Sequence, residues 1–313
     1  MQSVRKPMDG FGAGIMVLLC VVLGLHQVAL KAAAPDIAPV LQIGLRSGIS
    51  ALLICLVIVW QREGFSLRDG TLKPGLFLGA VFSVEFFFVA EGLRYTSASH
   101  MSVFLYTAPV FTALMLHRRL PTERLRLHQW FGIGISFLGI VVAFAGGLIH
   151  TGFNLRVLWG DFLGILGGIA WAGTTVIVRS TRLSEAPPTR TLLYQLAAAF
   201  VLLLTYAVGS GQAGKVSFTP LAVGSVLFQA VVITFAVYLA WFSLLRRYHA
   251  AQLSAFMFMS PLFGVSFGVL LLHDPIDLFF AVGAVMVLTG ITLASRQQPF
   301  KPPTPPPVTA SRR

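Results

Sequence analysis

The sequence predicts an all-α membrane protein with ten transmembrane helices, arranged as two inverted five-helix repeats. Three observations carry this expectation. Of 313 residues, 56% are hydrophobic and only 11% charged, where a soluble domain carries roughly 25% charged residues. Apolar runs of spanning length recur ten times along the chain. The second five of them partly repeat the first five. A buried core alone does not account for so few charges, whereas a lipid-facing exterior does.

The runs cover residues 11–31, 38–60, 72–94, 98–117, 127–147, 158–178, 190–209, 221–244, 250–272 and 277–295. About 20 residues at ~1.5 Å rise each cross ~30 Å of hydrocarbon. The runs are continuously apolar, whereas barrel strands alternate over ~10 residues. The expected organisation is a cytoplasmic N-terminus over 1–10, a first repeat over 11–147 and a linker over 148–157. A second repeat over 158–295 and a disordered, Pro-rich cytoplasmic tail over 296–313 complete it. Arg5 and Lys6 before the first run, with Ala32, Ala33 and Ala34 behind it, resemble a secretory leader. The run is longer than the ~7–15 residues of a leader's apolar stretch, and Pro35 follows it, so it is expected to remain as a membrane helix.

The net charge of +12 suggests nucleic acid until the charges are mapped. They fall between the apolar runs, with 18 Lys and Arg on one side, only Lys31, Arg94, Arg156 and Lys215 on the other, and Arg46 inside a run. Such a bias marks topology determinants and puts both termini in the cytoplasm. That sidedness requires an even number of spans, so it agrees with ten. No nucleic-acid partner is expected; the partners are a lipid bilayer and a small-molecule substrate.

Residues 93–111 read LRYTSASHMSVFLYTAPVF and 245–263 read LRRYHAAQLSAFMFMSPLF, with seven identities at an offset of 152. At an offset of 151, Glu123 aligns with Asp274, Gly132 with Gly283 and Gly139 with Gly290. Gly10 and Gly14 faintly echo Gly160 and Gly164, at the small-xxx-small spacing of close helix contacts. Five helices per half is an odd number, so the second copy enters the membrane from the opposite side. Inverted repeats are a signature of secondary transporters, in which the halves exchange conformations around a midplane site.

The segment from Leu93, followed by Glu123, Gln129, Gly132 and Gly139, resembles the EamA-type signature of the drug/metabolite transporter superfamily. The second half repeats it through Pro261, Asp274, Gly283 and Gly290. Within that superfamily the chain looks most like the bacterial aromatic amino-acid exporter group. The resemblance implies a monomeric ten-helix basket in the inner membrane, with the first, third, fourth, sixth, eighth and ninth helices around a central cavity. It also implies export of amino acids such as phenylalanine, tyrosine and tryptophan. A broader amino-acid or metabolite exporter, and a membrane receptor or assembly subunit, are the alternatives.

Glu85 and Glu91 in the third run are read as the acidic residues well inside the spans. Ionisable groups at such depth are functional or paired by default. Glu85 is either a coupling or ammonium-binding carboxylate or a structural group paired with Arg46. Arg46 itself could pair, snorkel or hold a substrate carboxylate, on a helix that the family resemblance makes peripheral. His100, Phe104, Thr107 and Phe111 share one helical face, and Gln252, Phe256, Met259 and Phe263 are their repeat counterparts. Two such faces, polar at the mouth and aromatic below, suit an amphipathic ligand, although ordinary helix packing explains them equally well. Trp171, Thr174 and Thr175 in the sixth run, with Gln229 and Tyr238 in the eighth, are further lining candidates. Tyr106 is offset from the shared face. His26, Gln27 and Trp241 lie near helix ends, where interfacial positions are expected. Pro109 and Pro261 should kink the fourth and ninth helices and are candidate hinges.

No H-E-x-x-H, G-x-S-x-G, P-loop or dinucleotide fingerprint is present, so neither enzymatic activity nor a cofactor is expected. Cys20 and Cys55 lie within apolar runs without metal-ligand spacing, and no metal is expected.

Overall fold

The computed structural model describes residues 9–62, 69–119, 125, 127–149, 154–214, 216–248, 256–257 and 259–295. Among these residues the chain is helical and carries no strand. The first half forms α1 (Gly10–Ala32), α2 (Pro39–Trp60), α3 (Leu72–Gly92), α4 (Ala98–Leu105), α5 (Ala108–Arg119) and α6 (Leu127–Ile149). The second half forms α7 (Leu155–Ser180), α8 (Pro188–Gly209) and α9 (Pro220–Leu227). A π-helical stretch, Phe228–Val237, then leads into α10 (Tyr238–Arg247), followed by α11 (Met259–Leu272) and α12 (Leu278–Ser295). Among the described residues, seven helical stretches are long and apolar enough to cross a membrane: α1, α2, α3, α4 with α5, α7, α8, and α9 through Trp241. Three shorter apolar helices, Leu127–Ala143, Met259–Leu272 and Leu278–Leu293, lie at the fifth, ninth and tenth runs. The expected disordered tail and Gln252 lie outside the described residues.

Local chemistry sets the boundaries. Asp9, Ser97 and Thr219 cap α1, α4 and α9 by accepting backbone N–H groups from Gly12, His100 and Ala222, and Pro39, Pro188 and Pro220 open α2, α8 and α9. The fourth segment breaks at Tyr106 and Thr107. Pro109 has no N–H to give to the carbonyl four residues back, and its ring crowds that carbonyl. Within the break the Thr107 hydroxyl donates to the Phe104 carbonyl at 2.6 Å. The kink expected at Pro109 is therefore present. Pro261 lies within α11, and residue 258 shortly before it is outside the described residues.

The helices turn large apolar side chains outward and bury their few polar ones among apolar neighbours. α2 turns Leu52, Leu56, Val59 and Trp60 outward and buries Gln42, Arg46, Ser47 and Ser50. α6 exposes Leu127, Phe131, Leu138 and Val141. A soluble fold would reverse this pattern, while hydrocarbon requires it. Where polar side chains are buried, helices approach closely across small residues. A Cβ on Gly139 would lie 2.7 Å from the Gly283 carbonyl, and Gly290 packs against Gly132 and Ser136. α6 and α12 therefore run antiparallel, joined also by Ser136 donating to the Val287 carbonyl. Gly160 and Gly164 pack against Thr96 and Phe104, whereas Gly10 and Gly14 face open space. The faint sequence echo between those two pairs is thus not a shared packing motif.

Contacts between the halves have a common pattern. α2 packs on α8, α6 on α12, and α4 on α11. α3 lies against α7, and α1 against the π-helical stretch. α1 meets α11 as α4 and α5 meet α7, and α3 meets α8 as α2 meets α9 and the π-helical stretch. Exchanging each first-half segment with its second-half counterpart reproduces these pairings, whereas the contacts of α1 with α4 and of α2 with α3 belong to the first half.

Candidate functional site

The centre of the bundle holds charge where helices α1, α2, α3 and the π-helical stretch meet. Arg46 is 3% exposed and Glu85 5%. The Arg46 guanidinium hydrogen-bonds the His26 ring and lies 4.4 Å from the centre of the Phe86 ring. Glu85 and Tyr238 are within its electrostatic reach, but Arg46 and Glu85 form no ion pair with each other. Arg46 Nε and Glu85 Oε2 have no hydrogen-bond partner, nor do Gln27 Oε1, Gln229 Oε1 and Ser260 Oγ. Buried polar atoms are seldom left unpaired, and in hydrocarbon they are costlier still.

An aromatic group adjoins these charges. Tyr106 and Trp171 meet edge to face at 5.3 Å between ring centres. Tyr106 is also close to Tyr238, Cys20 and Ser260. Trp171, Tyr106 and Tyr238 are half-buried. Phe256, Met257, Met259, Phe263 and Trp241 pack beside them around Met16, Leu19 and Cys20, and the Cys20 thiol donates to the Phe256 carbonyl at 3.1 Å.

The residues proposed from sequence are divided between several places. Trp171, Tyr238, Phe256, Met259 and Glu85 belong to this centre. Thr174 is buried and spends its hydroxyl on the Trp171 carbonyl at 2.7 Å. Gln229 joins Gln42 and Ser225 at 3.0 and 2.9 Å. Phe104 and Thr107 are fully packed, Phe104 beside Val110 and Phe280. His100 stacks on Phe280 at 4.0 Å between ring centres and hydrogen-bonds Asp161 at 2.9 Å. Glu91 pairs with Arg94 at 2.6 Å and accepts from Gln212 at 3.1 Å. His26 and Gln27, expected at an interface, are buried, because α1 packs on α11 and on the π-helical stretch along its length. Trp241, expected as an interfacial anchor, packs half-buried on the Met16 and Cys20 cluster. Arg46 lies inside the protein rather than on a peripheral face.

One residue was missed and one was set aside. Asp161 is a buried acid in α7, close enough to the end of its run to be passed over as a flank. Tyr106 replaces the expected face because the break before Pro109 rotates it toward Trp171. A polar aromatic next to a helix-breaking proline was the available signal.

Polar contacts close both ends of the bundle. At one end Lys31 donates to the carbonyls of Leu93 and Thr96, and the Thr96 hydroxyl bonds Asp161. Asp274 there accepts from the Ser99 amide at 2.9 Å and hydroxyl at 2.8 Å. At the other end the Tyr248 hydroxyl donates to Asp9 at 2.7 Å, and Arg190 pairs with Asp69. Hydrogen bonds from Thr71 and the nearby Arg190 guanidinium hold the Asp69 carboxyl below its ordinary pKa. No group of three or more metal-ligating side chains occurs among the described residues.

Comparison with known proteins bears on the fold and the family. The chain is 26% identical over 252 residues to an uncharacterized transporter of Archaeoglobus fulgidus, covering 80% of this chain and 85% of that one. The uncharacterized transporter YoaV of Bacillus subtilis is 23% identical over 277 residues, covering 88% and 94%. A probable amino-acid metabolite efflux pump of Escherichia coli K12 is 23% identical over 287 residues, covering 89% and 93%. A solved crystal structure superposes with a TM-score of 0.61 at 18% identity over 91% of this chain and 97% of that one, which shows the shared fold. The EamA-like transporter family model matches residues 10–145 and again 158–296, one stretch in each half. The chain therefore belongs to the EamA-like transporter family, as a multi-pass membrane protein built from two repeats.

Proposed function

We propose that this transporter exports amino acids, preferentially aromatic ones, across the bacterial inner membrane by alternating access. The observation that carries this reading is the half-buried group of Tyr106, Trp171 and Tyr238 beside the buried charges of Arg46 and Glu85. An aromatic ligand gains apolar burial there, and ring–ring contacts of ~0.5–1.5 kcal/mol each. Its charged backbone needs polar partners, since unpaired burial costs several kcal/mol. Two efflux pumps among the relatives carry amino-acid metabolites in their names, in line with this substrate class.

Ten membrane crossings and inversion of the repeats are part of the proposal. Support comes from the antiparallel α6–α12 pair, whose equivalent glycines meet crosswise. Thr96 and Tyr248 are repeat counterparts at an offset of 152, and they close opposite ends of the bundle against Asp161 and Asp9. Counterpart contacts at opposite ends are what alternating access needs, because breaking either one alone opens one face. The charge bias places the Asp9 end in the cytoplasm. A reporter fused after Arg313 should read as cytoplasmic, and a cysteine at Lys215 should react with an impermeant thiol reagent from outside. A periplasmic C-terminus would reject the ten-span topology.

Substrate counterflow in liposomes tests the substrate. Phenylalanine and tryptophan are expected to exchange faster than alanine and threonine, and Trp171→Ala should slow the aromatic pair by about tenfold while changing alanine little. Equal wild-type rates for aromatic and small aliphatic amino acids would leave a broader amino-acid or metabolite exporter as the better reading.

A further inference from the structure

We infer that Arg46 and Glu85 bind the two ends of one zwitterion, the guanidinium taking its carboxylate and the glutamate its ammonium group. The inference deepens the amino-acid reading above and rests on it: the substrate must carry both charges on one small frame, which selects free amino acids over amines and organic acids.

The argument starts from depth. Arg46 lies seven residues into α2 from Pro39, and Glu85 seven residues before the end of α3 at Gly92. At ~1.5 Å per residue both sit ~10 Å from the same end of the bundle. That end is shared, since Lys31, just before α2, donates to the Leu93 carbonyl, just after α3. Two opposite charges thus stand level on neighbouring helices, both nearly inaccessible. Buried opposite charges of purely structural purpose close into an ion pair with their remaining polar atoms satisfied. These do not. Arg46 uses one edge on His26 and its face on Phe86, leaving Nε unpaired, and Glu85 keeps Oε2 unpaired. What remains is one unpaired guanidinium donor and one unpaired carboxyl oxygen, both within electrostatic reach of Tyr238. A ligand with a carboxylate and an ammonium on the same carbon satisfies both at once. Tyr106, in edge-to-face contact with Trp171, is also close to Tyr238 and offers the ligand's side chain aromatic neighbours.

Binding to purified protein in nanodiscs tests the inference with four probes: phenylalanine, phenethylamine without the carboxylate, 3-phenylpropionate without the ammonium, and alanine. Wild type should bind phenylalanine at least ~tenfold more tightly than either truncated analogue. Glu85→Gln should weaken phenylalanine and phenethylamine about tenfold and leave 3-phenylpropionate unchanged. Arg46→Gln should weaken phenylalanine and 3-phenylpropionate and leave phenethylamine unchanged. Equal weakening of all aromatic probes by both variants, or wild-type binding of either analogue as tight as that of phenylalanine, overturns it. Should a variant not fold, wild-type competition decides alone: N-acetyl-phenylalanine and phenylalanine methyl ester, each lacking one charge, must both bind at least ~tenfold more weakly than phenylalanine. If alanine binds as tightly as phenylalanine while the charge pattern holds, the aromatic preference fails and the zwitterion site stands.

Discussion

Gly290→Val is expected to remove most folded protein. Its Cβ would sit 2.5 Å from the Ser136 amide and closer still to the Gly132 carbonyl. Both are backbone atoms of α6, so no side-chain rotation relieves the clash and α12 must move away. Overpacking of this kind costs ~1–3 kcal/mol or more, against a typical total of ~5–15 kcal/mol. The α6–α12 contact also depends on Gly139 against Gly283, so separation at one point loosens the other. Gly134→Val is the control, since nothing lies within 4 Å of its added Cβ on the same helix. Thermal unfolding and monodisperse elution in detergent should separate the two variants, with a melting temperature several degrees lower and a folded yield several-fold lower for Gly290→Val. Matching melting curves for both variants would show that the helices are free to separate.

Asp161→Ala should shift the transporter toward its outward-open state. Asp161 accepts from Thr96 and from His100 at 2.9 Å, and His100 in turn stacks on Phe280. One residue therefore ties α7 to the start of α4 at the end opposite Asp9. Hydrogen bonds to a charged group are worth ~1.5–3 kcal/mol each, so losing two moves a conformational equilibrium by tenfold or more. The readout is a cysteine at Gly167, whose Cβ would meet only the end of the Leu105 side chain at 3.3 Å and ordinary contacts beyond. Its reaction with an impermeant thiol reagent from outside should speed up at least several-fold in the Asp161→Ala background. Tyr248→Phe, which removes the hydrogen bond to Asp9 at the other end, should slow it. Unchanged rates in both backgrounds would reject the two contacts as alternating closures.

Much of the fold was legible in the chain because hydrocarbon leaves few choices. Long apolar runs can only be helices or buried core, and runs as long as Gly10–Ala32 and Pro39–Trp60 appear as helices near the expected bounds. The glycines at 132, 139, 283 and 290 were visible as a repeated spacing, and the structure puts them face to face. Pro109 announced its own break, since a missing N–H acts locally. The family was legible for the same reason: its signature lies in one continuous stretch, Leu93 to Phe111.

The site was legible only in part. Trp171, Tyr238 and Glu85 were singled out by residue type and depth, but most of the residues that the structure packs around them were not. In water an apolar stripe tells which face of a helix turns inward; in a membrane the lipid-facing and protein-facing sides are both apolar, so periodicity does not set the rotation of a helix about its axis. That rotation is fixed by packing against partners distant in sequence. It placed His100 against Asp161 and Phe280 rather than beside Trp171, and gave that place to Tyr106. The sequence by itself determined a helical membrane transporter of two repeats. Tertiary structure alone decided that Arg46 and Glu85 stand level and unpaired in the protein interior, because two charges on different helices acquire a common depth and facing only when those helices pack.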